Sequence, residues 1–248
     1  MLSKNTLKFI KSLHQKKFRK QAGSFFVEGS KNVTELLVSD FEVTHLLYTR
    51  SFGDENVPLI SNLSAECYEV DERILESLGS FQTNNSALAV ARMKVPATIV
   101  PQRGEFVLAL DEVRDPGNLG TILRIADWYG IRKLVLSARS ADFYNPKVLH
   151  ASMGSFTRVD FSYVDLADFL SETAIPCYGA FLDGTNIHTL KLTMEGILVM
   201  GNESHGISSE IAEHIQHRIT IPSFGSAESL NVAIATAVIC DNFRRFGN

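Results

Sequence analysis

Leu110-Asp111-Glu112-Val113-Arg114-Asp115-Pro116-Gly117-Asn118-Leu119-Gly120-Thr121-Ile122-Leu123-Arg124 is the stretch on which the reading of this chain turns. The apolar run Phe106 to Leu110 ends in two acids, a Pro-Gly turn follows, and a helix opens near Asn118. Strand, loop and helix in that order are the grammar of an α/β ligand site. Within the helix, Leu119, Ile122, Leu123, Ala126 and Tyr129 recur at helical spacing and form one apolar face. Gly130 stands where the residue just past a helix end belongs. Arg124 lies about 165° from the apolar face at 100° per residue, so it is not a core residue. Asn118 is well placed as the N-cap.

Outward from this stretch, apolar runs alternate with helical patterns. Strand candidates are Phe106–Leu110, Leu134–Ser137, Val159–Tyr163, Cys177–Phe181, Ile197–Met200 and Ile219–Ile221, with helices near 119–129, 145–151, 165–173 and 208–215 and a last one after Ser229. The alternation predicts an α/β fold, a mostly parallel sheet with helices on both faces. Before it, Phe25–Glu28, Val43–Tyr48, Glu66–Val70 and Ala87–Ala91 read as strands, with helices opening at Ser30 and Asp71, so a small α/β domain is expected there. Residues 95–104 carry two prolines and a glycine and read as a linker between residues 1–94 and 105–248.

Two further segments carry chemistry. In Met200-Gly201-Asn202-Glu203-Ser204-His205-Gly206 an apolar strand runs into a tight polar loop with glycines at both ends. Glycine lets backbone approach a bound molecule without a Cβ clash. Ser204 beside His205 does not make a hydrolase, because a nucleophile elbow needs Gly-x-Ser-x-Gly and Asn202 breaks that pattern. In Ile219 to Val238 a strand stops at Pro222, a loop of small residues follows, and Ser229 is placed to cap a helix whose N-terminus suits a phosphate. That helix is apolar almost all round from Leu230 to Cys240, which marks it as buried in a core or an interface.

With 248 residues, 45% of them hydrophobic and 21% charged, the chain is long enough for one large or two modest globular domains. No run approaches the roughly 18 apolar residues of a membrane span, and Leu2-Ser3-Lys4-Asn5 lacks the apolar core of a secretory signal. Cys67, Cys177 and Cys240 are scattered, which suits neither a zinc site nor a disulfide framework; no metal and a cytoplasmic location are expected. The net charge of −4 conceals an asymmetry: residues 1–20 hold seven bases, among them Lys16, Lys17, Arg19 and Lys20, and no acid. A basic head on an acidic body points to a local polyanion contact, with a solvated lysine-rich helix as the plainer alternative.

In this order, the segments resemble the three motifs of the SpoU-type (TrmH) family of RNA ribose 2′-O-methyltransferases, in the SPOUT superfamily. The matching residues are Asp115-Pro116-Gly117-Asn118-Leu119-Gly120 with Arg124, Met200-Gly201-Asn202-Glu203 with Gly206, and Ile221-Pro222 followed by Glu228-Ser229-Leu230-Asn231. Ala151-Ser152-Met153-Gly154-Ser155-Phe156 is also similar, so the likeness spans about residues 106–245. Residues 3–92, above all Phe25-Phe26-Val27-Glu28-Gly29, resemble the ribosomal-protein-L30-like substrate-binding domain that many members carry. Ser204-His205 and the loop Ser223–Ala227 depart from the common pattern.

The resemblance implies a C-terminal trefoil knot, a homodimer and S-adenosylmethionine as cofactor. It implies cofactor contacts at Met200, Gly201, Asn202, Ile221, Leu230 and Ala233. Arg124 is then expected at the ribose 2′-oxygen, Asn118 and Glu203 bracing the catalytic loops, and Ser229 and Asn231 at the target phosphate or the methyl-transfer region. RNA is the implied substrate, ribosomal RNA ahead of transfer RNA, with Lys16, Lys17, Arg19 and Lys20 supplying non-specific affinity. A non-catalytic RNA-binding protein on the same scaffold is the alternative, disfavoured because Asn118, Arg124, Glu203 and Asn231 are all present. A dehydrogenase is disfavoured because Gly-x-Gly-x-x-Gly is missing.

Overall fold

A computed structural model describes residues 2–245. In chain order its first elements are α1 (Lys4–Ser12), α2 (Lys16–Ala22), β1 (Ser24–Glu28), α3 (Ser30–Leu37), β2 (Val43–Tyr48), α4 (Arg50–Glu55), α5 (Val57–Ser61), β3 (Glu66–Glu69), α6 (Glu72–Leu78) and β4 (Ala87–Arg92). There follow β5 (Phe106–Leu110), α7 (Pro116–Trp128), β6 (Lys133–Ser137), α8 (Pro146–Ser152), β7 (Asp160–Val164) and α9 (Leu166–Ser171). The last are β8 (Cys177–Asn186), β9 (Gly196–Met200), α10 (Ser209–Ala212), β10 (His217–Thr220) and α11 (Val232–Arg245). Two units result: the chain up to Val95 together with Asp142–Thr157, and Pro96–Ala141 together with the chain from Arg158 onward.

In the first unit, β4 lies between β1 and β2, antiparallel to both, and β3 runs parallel to β2 at the edge. Successive side chains on a strand point to opposite faces. Phe26 faces Ile10, Leu13, Leu75 and Leu78 in a buried cluster with Leu47, Leu88 and Val90. Phe25 turns to the other face and meets Tyr144 and Phe156 at ring-centroid distances of 4.7 and 6.0 Å. Residues 142–157 therefore cover a sheet that is distant in sequence, which no composition shift announces.

Arg19 corrects one expectation. It is 2% exposed and does not belong to the basic surface. Its Nη1 donates to the carbonyls of Leu13 and His14, both at 2.9 Å, and its Nη2 pairs with Asp142 at 2.5 Å. A planar guanidinium with five donors can satisfy the carbonyls that close α1 and a carboxylate together, which an ammonium does less well. Lys16, Lys17 and Lys20 remain exposed.

The second unit is a six-stranded parallel sheet in the order β10-β8-β9-β5-β6-β7. Its central strands are buried throughout, as both β5 and β9 show. Helices cover both faces. Val107, Ala109 and Cys177 pack with Leu166, Leu170 and Ile211 from α9 and α10, while Phe106 and Tyr178 meet Phe243 of α11 at 4.6 and 4.9 Å. Along α7, Leu119, Ile122, Leu123 and Ala126 are fully buried, and Gly130 takes the left-handed conformation (φ 69°) after the helix.

Two helix starts differ from expectation. Asp115, not Asn118, is the N-cap of α7: its Oδ1 accepts from the Asn118 N–H at 2.8 Å, and Pro116 occupies the first turn. Proline suits that turn because its missing N–H would be unpaired there. Likewise the Asn231 Oδ1 accepts from the N–H groups of Ala233 and Ile234 at 2.9 and 3.3 Å, so Asn231 rather than Ser229 opens α11. A side-chain cap of this kind contributes about 1 kcal/mol. Among the described residues, no helix is long and apolar enough to cross a membrane.

Candidate active site

Register brings the site together. Leu110 and Met200 are partners at the ends of β5 and β9, so the loops Asp111–Asp115 and Gly201–Gly206 leave the sheet side by side. This is the carboxyl edge, where open α/β sheets bind ligands. The second loop folds back on itself: Asn202 and Gly206 exchange backbone hydrogen bonds of 3.0 Å. A Cβ on Gly201 would stand 2.2 Å from the backbone of Gly206 and Ile207, so only glycine fits there. Gly206 itself has φ 71°.

Glu203 projects from this turn into the β5 loop. Its Oε1 accepts from the Asn118 Nδ2 at 3.0 Å and the Asp115 N–H at 3.3 Å, and its Oε2 from the Arg114 N–H at 3.5 Å. The Asn118 Oδ1 in turn accepts from the Asn231 Nδ2 at 2.9 Å. Three residues from three distant segments thus form one chain of hydrogen bonds, Glu203 to Asn118 to Asn231. Because Asp115 caps α7, the Asn118 amide is free to be its middle link. Burial pushes the Glu203 carboxyl up, but the Asn118 amide and the backbone N–H groups around it outweigh that and hold it below the usual range. A carboxylate gathering several donors stays ionised.

The remaining expected residues divide. Arg124 is exposed, and among the described residues its side chain has neither hydrogen bond nor ion pair. It lies six residues beyond Asn118, about 9 Å further along the helix axis, outside the Glu203 network. Asn202 is buried, and its side chain is committed to the protein: Nδ2 donates to the Glu112 carbonyl at 2.7 Å, and Oδ1 accepts from the Ser204 N–H at 2.8 Å. Met200 and Ala233 are also buried. Ile221 is half-buried, Ser229 and Leu230 are exposed, and Ser229 makes no hydrogen bond among the described residues.

The segment 221–231 has a particular character. It has no regular structure, and among the described residues no backbone N–H from Ser223 to Asn231 donates to the protein itself. Phe224 and Leu230 stand 93% and 51% exposed in it. Free amides beside exposed apolar side chains suit a ligand with a flat heteroaromatic part and polar edges.

Sequence reasoning passed over Asp111 and Glu112. Asp111 is buried and accepts from the Ser208 N–H at 2.8 Å, tying the β5 loop to the start of α10. Glu112 has φ 57°, one of two non-glycine residues at positive φ among those described. Two acids directly after an apolar strand were the available signal.

Comparison with known proteins identifies the family of the chain. Residues 105–241 match the model of the SpoU rRNA Methylase family, and residues 4–89 match an MRM3-like substrate binding domain. The chain is 30% identical over 238 residues to the 23S rRNA (guanosine(2553)-2′-O)-methyltransferase RlmP of Bacillus subtilis, covering 94% of each. A TrmH-family structure from Porphyromonas gingivalis superposes with a TM-score of 0.86 at 40% identity, covering 99% of both chains. An AdoMet-bound rRNA methyltransferase from Sinorhizobium meliloti gives 0.87 at 30% identity, covering 99% of this chain and 96% of that one.

Proposed function

The chain belongs to the SpoU rRNA methylase family, and from that premise we propose that it uses S-adenosylmethionine to methylate a ribose 2′-hydroxyl in structured RNA, ribosomal RNA ahead of transfer RNA. The observation that carries this reading is the Glu203–Asn118–Asn231 network, which ties the three motif loops together at the carboxyl edge of the sheet. When bound, S-adenosylmethionine supplies an electrophilic sulfonium methyl. The free amides and apolar side chains of 221–231, with the Gly201 turn and Ile221, are the residues fitted to hold it.

The chain's part is alignment and charge. Glu203 and Asn118 fix the loops that must hold two reactants in line, where misplacement is costly. Ser229 and Asn231 stand at the entrance of α11, where a phosphate oxygen gains from the dipole. Arg124 stabilises the oxygen that develops negative charge as the 2′-hydroxyl attacks. Lys16, Lys17 and Lys20 add non-specific RNA affinity. Residues 1–94, joined by 142–157, serve as the L30-like RNA-binding domain, 95–104 as linker and the rest of the chain from 105 as the knotted transfer domain. The three free cysteines support a reducing cytoplasm as its location.

The test is transfer of radiolabelled methyl from S-adenosylmethionine to bulk RNA that lacks the modification. Label in the ribosomal fraction, recovered as a 2′-O-methyl nucleoside, is expected. Label on a base, or none in any fraction from protein that binds the cofactor, overturns the proposal.

A homodimer belongs to the same reading. On α7, Trp128 is 83% exposed one turn beyond Arg124, and Ile234 of α11 is 54% exposed. Large apolar side chains left outside on two helices that pack together suit burial by a second copy. Trp128→Glu with Ile234→Glu is expected to halve the mass in sedimentation equilibrium while leaving the far-ultraviolet dichroism intact. An unchanged mass, or a monomeric wild type, counts against this interface.

A further inference from the structure

Glu112 joins three loops through side chains that the methyl-transfer reading does not use. Its carboxylate is ion-paired with Arg114, which follows β5, and with Arg139, which follows β6, at 3.1 Å in the second case. His205, in the loop after β9, places its Nε2 3.9 Å away. The backbone of Glu112 is fixed as well: its N–H donates to the Ser137 Oγ at 2.8 Å, and its carbonyl accepts from the Asn202 Nδ2 at 2.7 Å. Its positive φ is sterically disfavoured for a residue with a Cβ. A non-glycine residue held there by partners on three loops is a position worth a functional reading.

Charge gives that reading. The Glu112 side chain is 16% exposed, whereas those of Arg114 and Arg139 are 55% and 75% exposed. One carboxylate faces two permanent cations, so the cluster keeps a net positive charge before His205 is considered. Each guanidinium has five donors, and the side chains of Arg114 and Arg139 bond only the Glu112 carboxylate among the described residues. The free donors face solvent at the carboxyl edge of β9, β5 and β6. The Arg114 N–H also bonds Glu203, so this patch adjoins the catalytic network. Forked, pre-aligned donors of this kind suit a phosphodiester oxygen.

We propose that Glu112 is a positioning residue that presents Arg114 and Arg139 as a clamp for a backbone phosphate of the RNA strand carrying the target ribose. The inference rests on the RNA-methyltransferase reading. The same oxyanion chemistry exists in the carboxylate of S-adenosylmethionine, and the experiment separates the two.

The full-length protein is titrated with an unmodified 23S rRNA transcript at several salt concentrations, and with S-adenosylmethionine by calorimetry. Arg114→Gln with Arg139→Gln is expected to weaken RNA binding by about tenfold or more and to reduce the slope of log K against log salt by about 0.7 to 0.9, the loss of one neutralised phosphate. Cofactor affinity stays within about twofold. Arg114→Lys with Arg139→Lys restores the slope but not the full affinity, because charge returns without the fork. An unchanged slope in the Gln variant, with wild type binding RNA normally, overturns the clamp and leaves the methyltransferase reading intact. A fall in cofactor affinity with RNA binding unchanged also overturns it and assigns the patch to the cofactor. A wild type that binds no RNA overturns the clamp together with the reading beneath it.

Discussion

Arg124→Ala is expected to lower the rate of methyl transfer by about three orders of magnitude or more, with folding and cofactor binding preserved. The side chain is exposed, lies opposite the buried stripe of α7, and has no partner among the described residues. Substitutions at such positions change stability by only about 0.5 kcal/mol either way. A large loss can therefore be read as chemistry. Removing one preorganised donor from a developing oxyanion costs roughly 10²–10³ in rate, and a guanidinium offers more than one. Arg124→Lys separates two roles. An arginine acting as a base must give up a proton that guanidinium groups hold firmly in proteins, a large cost, whereas a charged stabiliser requires no such change. If charge is what matters, Lys recovers about 10- to 100-fold over Ala in single-turnover transfer. Equal losses in Lys and Ala count against a simple charge role. Full activity in Ala removes Arg124 from the reaction.

The sequence made the strands legible for a physical reason. Strands of a parallel sheet are covered on both faces and read as unbroken apolar runs, as Phe106–Leu110 and Ile197–Met200 do. Helix starts were harder. Asp115 and Asn118 are both good caps, as are Ser229 and Asn231, and one or two hydrogen bonds decide between each pair. The consequence reaches the site, because the residue that caps is not the residue left free to bridge. Arg19 stood in a run of exposed lysines, and its partner Asp142 lies 123 positions away. Glu112 was hidden more deeply: a positive φ and three converging loops leave no pattern in the order of residues. Local regularity was readable, whereas pairings made by tertiary approach were not.

Glu203 provides the sharper test of the site's architecture, because two variants should differ in a stated direction. Glu203→Ala is expected to reduce methyl transfer by about 100-fold. Loss of the carboxylate frees the Asn118 amide and two backbone N–H groups, and with them the link between the loops after β5 and β9. Water can reach these donors in the free protein, so the loss of stability should be small, under about 1 kcal/mol. The rate responds more strongly, since displacement of aligned groups by about 1 Å can cost 10²-fold. Glu203→Gln keeps an oxygen for Asn118 and Asp115 and disturbs only the long bond from Arg114, so a loss of less than about tenfold is expected. The depressed ionisation of Glu203 gives the pH dependence its sign: the bracing is complete above the usual glutamate value of about 4.3 and is lost as pH falls through the lower folded-state value. The acid limb of the wild-type rate should then lie below the usual glutamate value, and Gln, which does not titrate, should lack it. Gln as inactive as Ala would show that the negative charge itself acts on the reacting groups. Ala as active as wild type would show that the three loops hold their places without this bridge.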